Sequence, residues 1–339
     1  MLLSDSLPTT SDSLIDAFGR QIEYVRLSVT DRCDFRCTYC MAEEMTFLPR
    51  QEVLSLEELE RIARIFVHLG VKKLRITGGE PLIRRGVDRL FTGLCNLPGL
   101  QELALTTNGS QLVNRAQHLR DSGVTSINIS LDTLDPAKFK AITRTGELST
   151  VLAGIRTAVG VGFDRIRLNA VILQGQNDDE IIALTEYALS LGINIAFIEE
   201  MPLGQVNAAG KPLEFVSSDD IHRCLADHFK LQAEPPPEQA GPARYWRIAG
   251  SDTRIGLISP HSNNFCSSCN RLRVTAEGRL LLCLGNEHSI SLRDHLRNGE
   301  SDEMLADRIR QALNQKPERH VFDQPDEPQI LRFMNASGG

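Results

Sequence analysis

No stretch of the 339-residue chain approaches the roughly 20 consecutive apolar residues that a membrane span requires. An excess of positive charge is also lacking, since 44 acidic residues outnumber 37 basic ones for a formal net charge of −7. That balance argues against broad nucleic-acid binding, which wants a basic surface, yet leaves room for a local basic pocket around a small anion. The segment up to about Gly19 has neither a basic n-region nor an apolar h-region, so no signal peptide is expected and a cytoplasmic location is. Internal repeats and coiled-coil heptads are absent. Histidine is missing between Leu2 and Val67, so a local Cys2His2 site in that segment is excluded.

What the chain does have is cysteine, eight in all. In a reducing cytosol, clustered cysteines are metal ligands more often than disulfides. Six fall into two groups, Cys33/Cys37/Cys40 and Cys266/Cys269/Cys283, while Cys95 and Cys224 stand alone and read as small buried hydrophobes. The first group has the spacing C-x3-C-x2-C and so offers three thiolates on one short loop. A structural zinc ion or a fully ligated iron–sulfur cluster needs four protein ligands. Three cysteines on a cubane leave one iron open, where a cofactor or substrate can coordinate; a zinc site with a remote fourth ligand is the alternative.

From about residue 22, short β-branched runs alternate with amphipathic helical runs. The strands are expected at Glu23–Val29, Lys73–Thr77, Glu102–Thr106, Ser126–Ser130, Arg165–Leu173 and Asn194–Ile198. Helices are expected near 55–70, 84–96, 111–122, 148–161 and 177–191, with Ser55-x-x-Glu58 and Asn177-x-x-Glu180 as capping signals. Such alternation makes a parallel sheet, and six units close partway into a barrel with functional residues at the strand C-termini. The rhythm changes after about residue 203, at Gly204–Pro212 and the stiff Glu234–Glu238 stretch, before further strands at Tyr245–Ile248 and Ile255–Ile258 and helices near 290–297 and 302–314. The expected fold class is α/β, a partial (β/α)6 TIM-type barrel over 21–203. An N-terminal extension covers 1–20, and a C-terminal α+β extension over 204–339 carries the second cysteine group and docks on the barrel.

After the second strand comes Thr77-Gly78-Gly79-Glu80-Pro81, whose glycines let backbone approach a ligand and whose carboxylate can accept from an ammonium group. Joined to the cysteine loop after strand one, this motif makes the chain resemble radical S-adenosylmethionine enzymes. The resemblance implies that the open iron binds the methionine moiety of S-adenosylmethionine and that one-electron cleavage yields a hydrogen-abstracting 5′-deoxyadenosyl radical. It also implies that Tyr39, Gly79, Ser130 and Met201 line the S-adenosylmethionine site.

The second group, Cys266-x2-Cys269 and then Cys283, is again three cysteines. His288 offers a fourth ligand for zinc; the alternative is a second cluster with its own open iron. Between these cysteines, Asn270-Arg271-Leu272-Arg273 in an extended conformation points two guanidiniums the same way, an anion clamp suited to phosphate. With Arg26–Cys33, Arg75–Leu82, Thr106-Thr107-Asn108-Gly109 and the terminal Gly338-Gly339, this makes the chain most similar to the GTP 3′,8-cyclase family of molybdenum cofactor biosynthesis, from about Arg20 onward.

That resemblance implies two [4Fe-4S] clusters and GTP between them. Arg26, Lys73, Arg75, Thr106, Arg167, Arg271, Leu272 and Arg273 would contact GTP, with Arg26, Arg271 and Arg273 as catalytic residues. The radical would take the 3′ hydrogen of the ribose, C3′ would attack C8 of guanine, and an electron supplied through the second cluster would quench the purine radical. Further implications are an external electron donor and a cyclic pyranopterin monophosphate synthase that receives the product, with monomer and homodimer both open. Nucleic acid and membrane are not expected as partners. Two departures stand out: Arg167 where relatives commonly carry Lys, and Ala196 where they often carry Arg, so that one phosphate contact is either missing or made by Lys72 or Arg84. The Gly-Gly tail is expected either to be an unstructured end or to enter the site.

The rivals are a peptide-modifying radical enzyme with an auxiliary cluster and a non-catalytic zinc or iron–sulfur binding protein. Anaerobic iron and sulfide analysis separates the last from the others. About eight irons without zinc are expected for two cubanes, whereas stoichiometric zinc without sulfide would establish the binding protein.

Overall fold

The computed structural model describes residues 13–204, 215–235, 241–322 and 330–339. Most of the Gly204–Pro212 stretch and residues 236–238 of the proline run therefore lie outside the described residues. Six parallel strands form the heart of the molecule: β1 (Tyr24–Ser28), β2 (Lys73–Thr77), β3 (Glu102–Thr107), β4 (Ser126–Ser130), β5 (Arg165–Ile172) and β6 (Asn194–Glu199). Their crossovers are α1 (Leu56–His68), α2 (Val87–Cys95), α3 (Leu112–Asp121), α4 (Pro136–Thr143) with α5 (Leu148–Val161), and α6 (Ile181–Ser190). This is the expected α/β partial barrel.

Side-chain alternation divides each strand between two environments. In β1, Val25 and Leu27 enter the apolar core shared with the helices, while Tyr24 and Arg26 face a central cavity. Helix α1 starts as its sequence dictates, with Ser55 Oγ accepting from the Glu58 amide and Glu58 accepting from the Ser55 amide in a reciprocal capping box. The second anticipated cap differs. Asn177 Oδ1 accepts from Leu173 N, and its amide donates to the carbonyls of Asp132 and Val171. Glu180 accepts instead from Thr133 Oγ1 and Leu134 N, so both residues tie the loop after β4 to the start of α6.

Besides a single C-terminal turn, two helices among the described residues fall where the sequence predicted none. Helix α4 begins at an Asp-Pro pair, with Asp135 Oδ1 accepting from two amides of the first turn. Helix α7 (Ser218–His228) begins at Ser217, which accepts from Asp220 N. Cys224 on α7 is exposed rather than a buried hydrophobe, and Cys95 is half-buried against the core with its thiol on Thr92 O.

The C-terminal part does more than dock. Strands β7 (Leu231–Ala233), β8 (Ala243–Ile248), β9 (Arg254–Ile258), β10 (Arg271–Val274), β11 (Arg279–Leu281) and β12 (Ser289–Ser291) extend both edges of the barrel sheet. The order is β12-β11-β10-β1-β2-β3-β4-β5-β6-β9-β8-β7, with β10 parallel to β1 and β9 parallel to β6. Helices α8 (Leu292–Arg297) and α9 (Asp302–Leu313) cover β11 and α1, and a single turn, α10 (Met334–Ser337), returns to the barrel mouth.

Candidate active site

Strand register stacks the cavity wall in layers. Tyr24 lies beside Lys73 and Arg271, and Lys73 beside Glu102. One step up, Arg26 lies beside Arg75 and Arg273, with the small Ala104 next to Arg75 giving the guanidinium room. Next come Thr106, Asn128 and Arg167, and then Ser130, Asn169 and Ala196. The first cysteine group follows the C-terminal end of β1, whereas Cys269 immediately precedes β10, which starts level with the beginning of β1. Cys283 follows β11, which runs antiparallel back to the same end. The two triads thus sit at opposite ends of the parallel strands, and all six cysteines line one cavity of about 910 Å³.

Positive charge between the triads exceeds the negative charge available. Glu102 pairs with Lys73 at 2.9 Å and Arg165 at 2.5 Å, and Glu234 with Arg254 at 3.0 Å. Among the described residues no Asp or Glu side chain pairs with Arg26, Arg75, Arg167, Arg271 or Arg273, and Arg26 and Arg273 reach Gly339 O instead. The others find partners among hydroxyls, carbonyls and a ring. Arg75 donates to Tyr24 Oη at 2.8 Å and to Leu105 O at 2.9 Å, Arg167 to Tyr245 Oη at 2.8 Å and Asn169 Oδ1 at 3.0 Å, and Arg271 lies over the Phe265 ring. Burial and the neighbouring Arg26 and Arg271 charges push the Arg273 guanidinium well below its usual range. Burial alone would raise the Tyr24 phenol, but Arg75, Arg26, Lys73 and Arg271 together outweigh it and bring it down to about 6. Thr106 Oγ1 is buried without a protein partner. A cavity with unmatched cations and an orphaned hydroxyl is built for a polyanion.

The first triad lies on a loop held by very close backbone packing. A Cβ on Gly79 would come within 2.3 Å of Arg32 O, and the Gly79 and Glu80 amides donate to Thr30 O and Arg32 O. The double glycine therefore lets β2 seat the cysteine loop as well as approach a ligand. Glu80 is fully buried and does not line the cavity, its carboxylate accepting from Leu82 N, Thr107 Oγ1 and Asn108 N, so it braces the strand ends. Phe35 N donates to Cys33 Sγ at 3.3 Å, and the Asn335 backbone amide donates to Cys40 Sγ. Burial pushes the Cys40 thiol up to about 12, and burial with neighbouring cysteines pushes Cys37 well up, so ionisation of this triad requires a cationic group among the sulfurs. In the second triad, burial raises Cys266 and Cys283, whereas Arg271 and Lys316 outweigh burial at Cys269 and bring it to about 7. Among the described residues no group of three or more His, Cys, Asp or Glu side chains is placed to hold a single metal ion. His288 is exposed and does not line the cavity, which removes it as a fourth zinc ligand. Three half-buried or buried cysteines at each end, met by backbone N–H groups, fit a cubane cluster with one open iron.

Of the residues singled out from sequence, Tyr39, Gly79, Ser130 and Met201 line the cavity, as do Arg26, Lys73, Arg75, Thr106, Arg167, Arg271 and Arg273. Leu272 does not. Between two inward arginines, strand alternation turns it into the apolar core, so its side chain has no access to a substrate. Lys72 pairs with Glu23, and Arg84 donates to the carbonyls of Val29 and Leu54; neither lines the cavity, so neither replaces the arginine absent at Ala196. Ala196 lies beside Gly256 and packs with Ala243, and Tyr245 leans over Gly256 towards Arg167.

Several lining residues escaped the sequence reading. Tyr24 shares the inward face of β1 with Arg26, a period-two signal that was available. Asn108 and Asp132 sit at strand ends, where Asn108 donates to Asp34 and Asp132 accepts from Tyr39 Oη at 2.8 Å and Val171 N at 2.9 Å. Residues Gly338 and Gly339 are in the cavity mouth with left-handed backbone. Arg26 donates to both their carbonyls, as does Arg273, and a Cβ on Gly338 would sit 3.0 Å from Thr77 Oγ1.

Comparison with known proteins is consistent along the whole chain. The Radical SAM superfamily model matches residues 27–188, and the Molybdenum Cofactor Synthesis C model matches 193–322. A GTP 3′,8-cyclase of Pseudomonas entomophila is 56% identical over 329 residues, covering 96% of this chain and 98% of that protein. GTP 3′,8-cyclase 1 of Pseudomonas aeruginosa is 58% identical over 327 residues, covering 96% and 99%. Among solved structures, Streptococcus suis SuiB superposes with a TM-score of 0.62 at 16% identity, covering 95% of this chain and 78% of that one, a likeness of fold alone.

The Tyr24 environment gives a titration. In the metal-free protein, near-ultraviolet phenolate absorbance should appear as pH rises through about 6 and be missing from Tyr24→Phe. A polyphosphate in the cavity should suppress it by supplying the counter-anion. A titration only near the ordinary tyrosine value would show that the cations do not act on this phenol.

Proposed function

The chain belongs to the GTP 3′,8-cyclase family of the radical S-adenosylmethionine superfamily, and from that premise we propose that it converts GTP to 3′,8-cyclo-7,8-dihydro-GTP, an early step of molybdenum cofactor biosynthesis. The observation that carries this reading is the single cavity with a cysteine triad at each end and unmatched guanidiniums between. Two [4Fe-4S] clusters and S-adenosylmethionine, when bound, supply the one-electron chemistry that removes hydrogen from C3′ and returns an electron to the purine.

The chain's own residues bind, orient and exclude water. Cys33, Cys37 and Cys40 would hold the first cluster, with Tyr39, Gly79, Ser130 and Met201 around S-adenosylmethionine. Cys266, Cys269 and Cys283 would hold the second. Arg26, Arg75, Arg271 and Arg273 would meet the triphosphate and ribose through charge-assisted bonds. Lys73, already paired with Glu102, would contribute less than those four. Thr106 would give its orphaned hydroxyl to the nucleotide. Arg167, braced by Asn169 and Tyr245, would present a planar fork. Bound through Arg26 and Arg273, the Gly338-Gly339 segment would position those two arginines beside the ribose.

The same reading extends to an external electron donor, to a cyclic pyranopterin monophosphate synthase that takes the product, and to a cytoplasmic setting. Among the described residues no helix is long and apolar enough to cross a membrane. The barrel would run over 21–203 and the cluster- and substrate-binding extension over 204–339.

Anaerobic incubation of the reduced protein with GTP and S-adenosylmethionine tests the reaction. The product should be a chromatographically distinct isomer of GTP, and S-adenosylmethionine cleavage without any GTP-derived product would sink the proposal. Cys40→Ala should lose cleavage entirely, whereas Cys269→Ala should keep some uncoupled cleavage and lose cyclisation; indistinguishable phenotypes would contradict separate roles for the triads. Tyr245→Phe should raise KM for GTP by about tenfold by freeing the Arg167 fork, with cleavage in the absence of GTP unchanged. An unaltered KM would remove Tyr245 from substrate positioning.

A further inference from the structure

The second cysteine triad has a charged neighbour that the cyclase reaction does not require in any named role. Lys316, on the loop after α9, is only 3% exposed. A buried ammonium is costly unless paired, and among the described residues Lys316 pairs with no carboxylate. Its Nζ donates to Leu282 O at 2.6 Å, to Arg271 O at 3.2 Å and to Cys269 Sγ at 3.7 Å. Leu282 immediately precedes Cys283, so one ammonium ties together the segments that carry two of the three sulfurs. The adjoining loop is pinned to the third. Arg20 donates to Cys266 O at 2.8 Å, Glu318 O at 2.7 Å and Pro317 O at 2.7 Å, and the His320 backbone amide donates to Cys266 Sγ. Arg20 has its own carboxylate, Asp16, at 2.5 Å. Lys316 is therefore the buried cation at this triad that no carboxylate answers among the described residues.

We propose that Lys316 is the resident counter-charge of the second cluster, holding its cysteine segments together and favouring its reduced state. The inference rests on the two-cluster reading above. Three thiolates on an oxidised [4Fe-4S] core leave a net negative charge, and one added electron makes it more negative. A fixed ammonium beside a sulfur stabilises the reduced form more than the oxidised form. Lys316 does not line the cavity, so substrate entry does not displace it, in contrast to Arg271.

The test is an EPR-monitored redox titration of the iron-loaded enzyme, with the second-cluster signal identified as the one missing from Cys269→Ala. Lys316→Met, close in length but neutral, should lower the ratio of reduced to oxidised second cluster at fixed potential by about tenfold or more, as expected for removing a unit charge a few ångström away. The first cluster should not move, and Lys316→Arg should restore the wild-type ratio. A folded Met variant that keeps the first cluster and loses the second also supports the assignment. A fully loaded Met variant with an unchanged ratio overturns it, as does an Arg variant shifted as far as Met. Should Lys316→Met fail to fold, Lys316→Gln keeps two N–H donors without the charge and carries the same comparison; unfolding of both would make Lys316 a fold residue and overturn the proposal. Wild-type protein with only about four irons would instead refute the two-cluster reading, an outcome visible before any variant is made.

Discussion

Gathering several guanidiniums in one cavity without Asp or Glu partners is the constraint on which the rest of this structure depends. Arg26, Arg75, Arg271 and Arg273 come from three strands that are far apart in sequence and adjacent in the sheet. Parallel pairing of β1 with both β2 and β10 places them side by side, so the extension is needed to complete the cation stack. Like charges at this spacing repel, and the protein relieves that with Tyr24, carbonyl oxygens and an aromatic face. Full compensation is left to the substrate. An acidic protein can in this way hide a basic interior.

The chain closes on its own ends to build the two triads. Backbone of the Gly78-Gly79 turn packs directly on the first cysteine loop, and the Met334 and Asn335 amides reach Cys40 O and Sγ from the other terminus. At the opposite end, Arg20 joins residues before β1 to the loop that covers the second triad. Each triad thus receives donors from segments hundreds of residues away. Perturbing either terminus reaches a cluster site without touching a cysteine.

Much of this was legible in the sequence, because it follows from local rules. The six barrel strands obey period two, the crossover helices other than α4 fall where expected, with α1 opened by the Ser55 capping box, and the two triads announce themselves by spacing. Tertiary context decided the rest. Asn177 and Glu180 look like a cap and instead tie loops, because buried carbonyls and amides of the β4 turn need partners. Glu80 turns away from the cavity for the same reason. Leu272 falls between two site arginines in sequence and on the far face of the strand in space. Cys224 looks apolar in context but lies on the outer side of α7. Neither the joining of both sheet edges nor the approach of Lys316 to Cys269 has any local signature.

The most direct test of the account is whether the two ends of the cavity take different ligands. In reduced enzyme, S-adenosylmethionine should perturb only the EPR signal that Cys40→Ala removes, and GTP only the signal that Cys269→Ala removes. If both ligands perturb the same signal, the two triads do not face one another across a shared substrate, and the central claim fails.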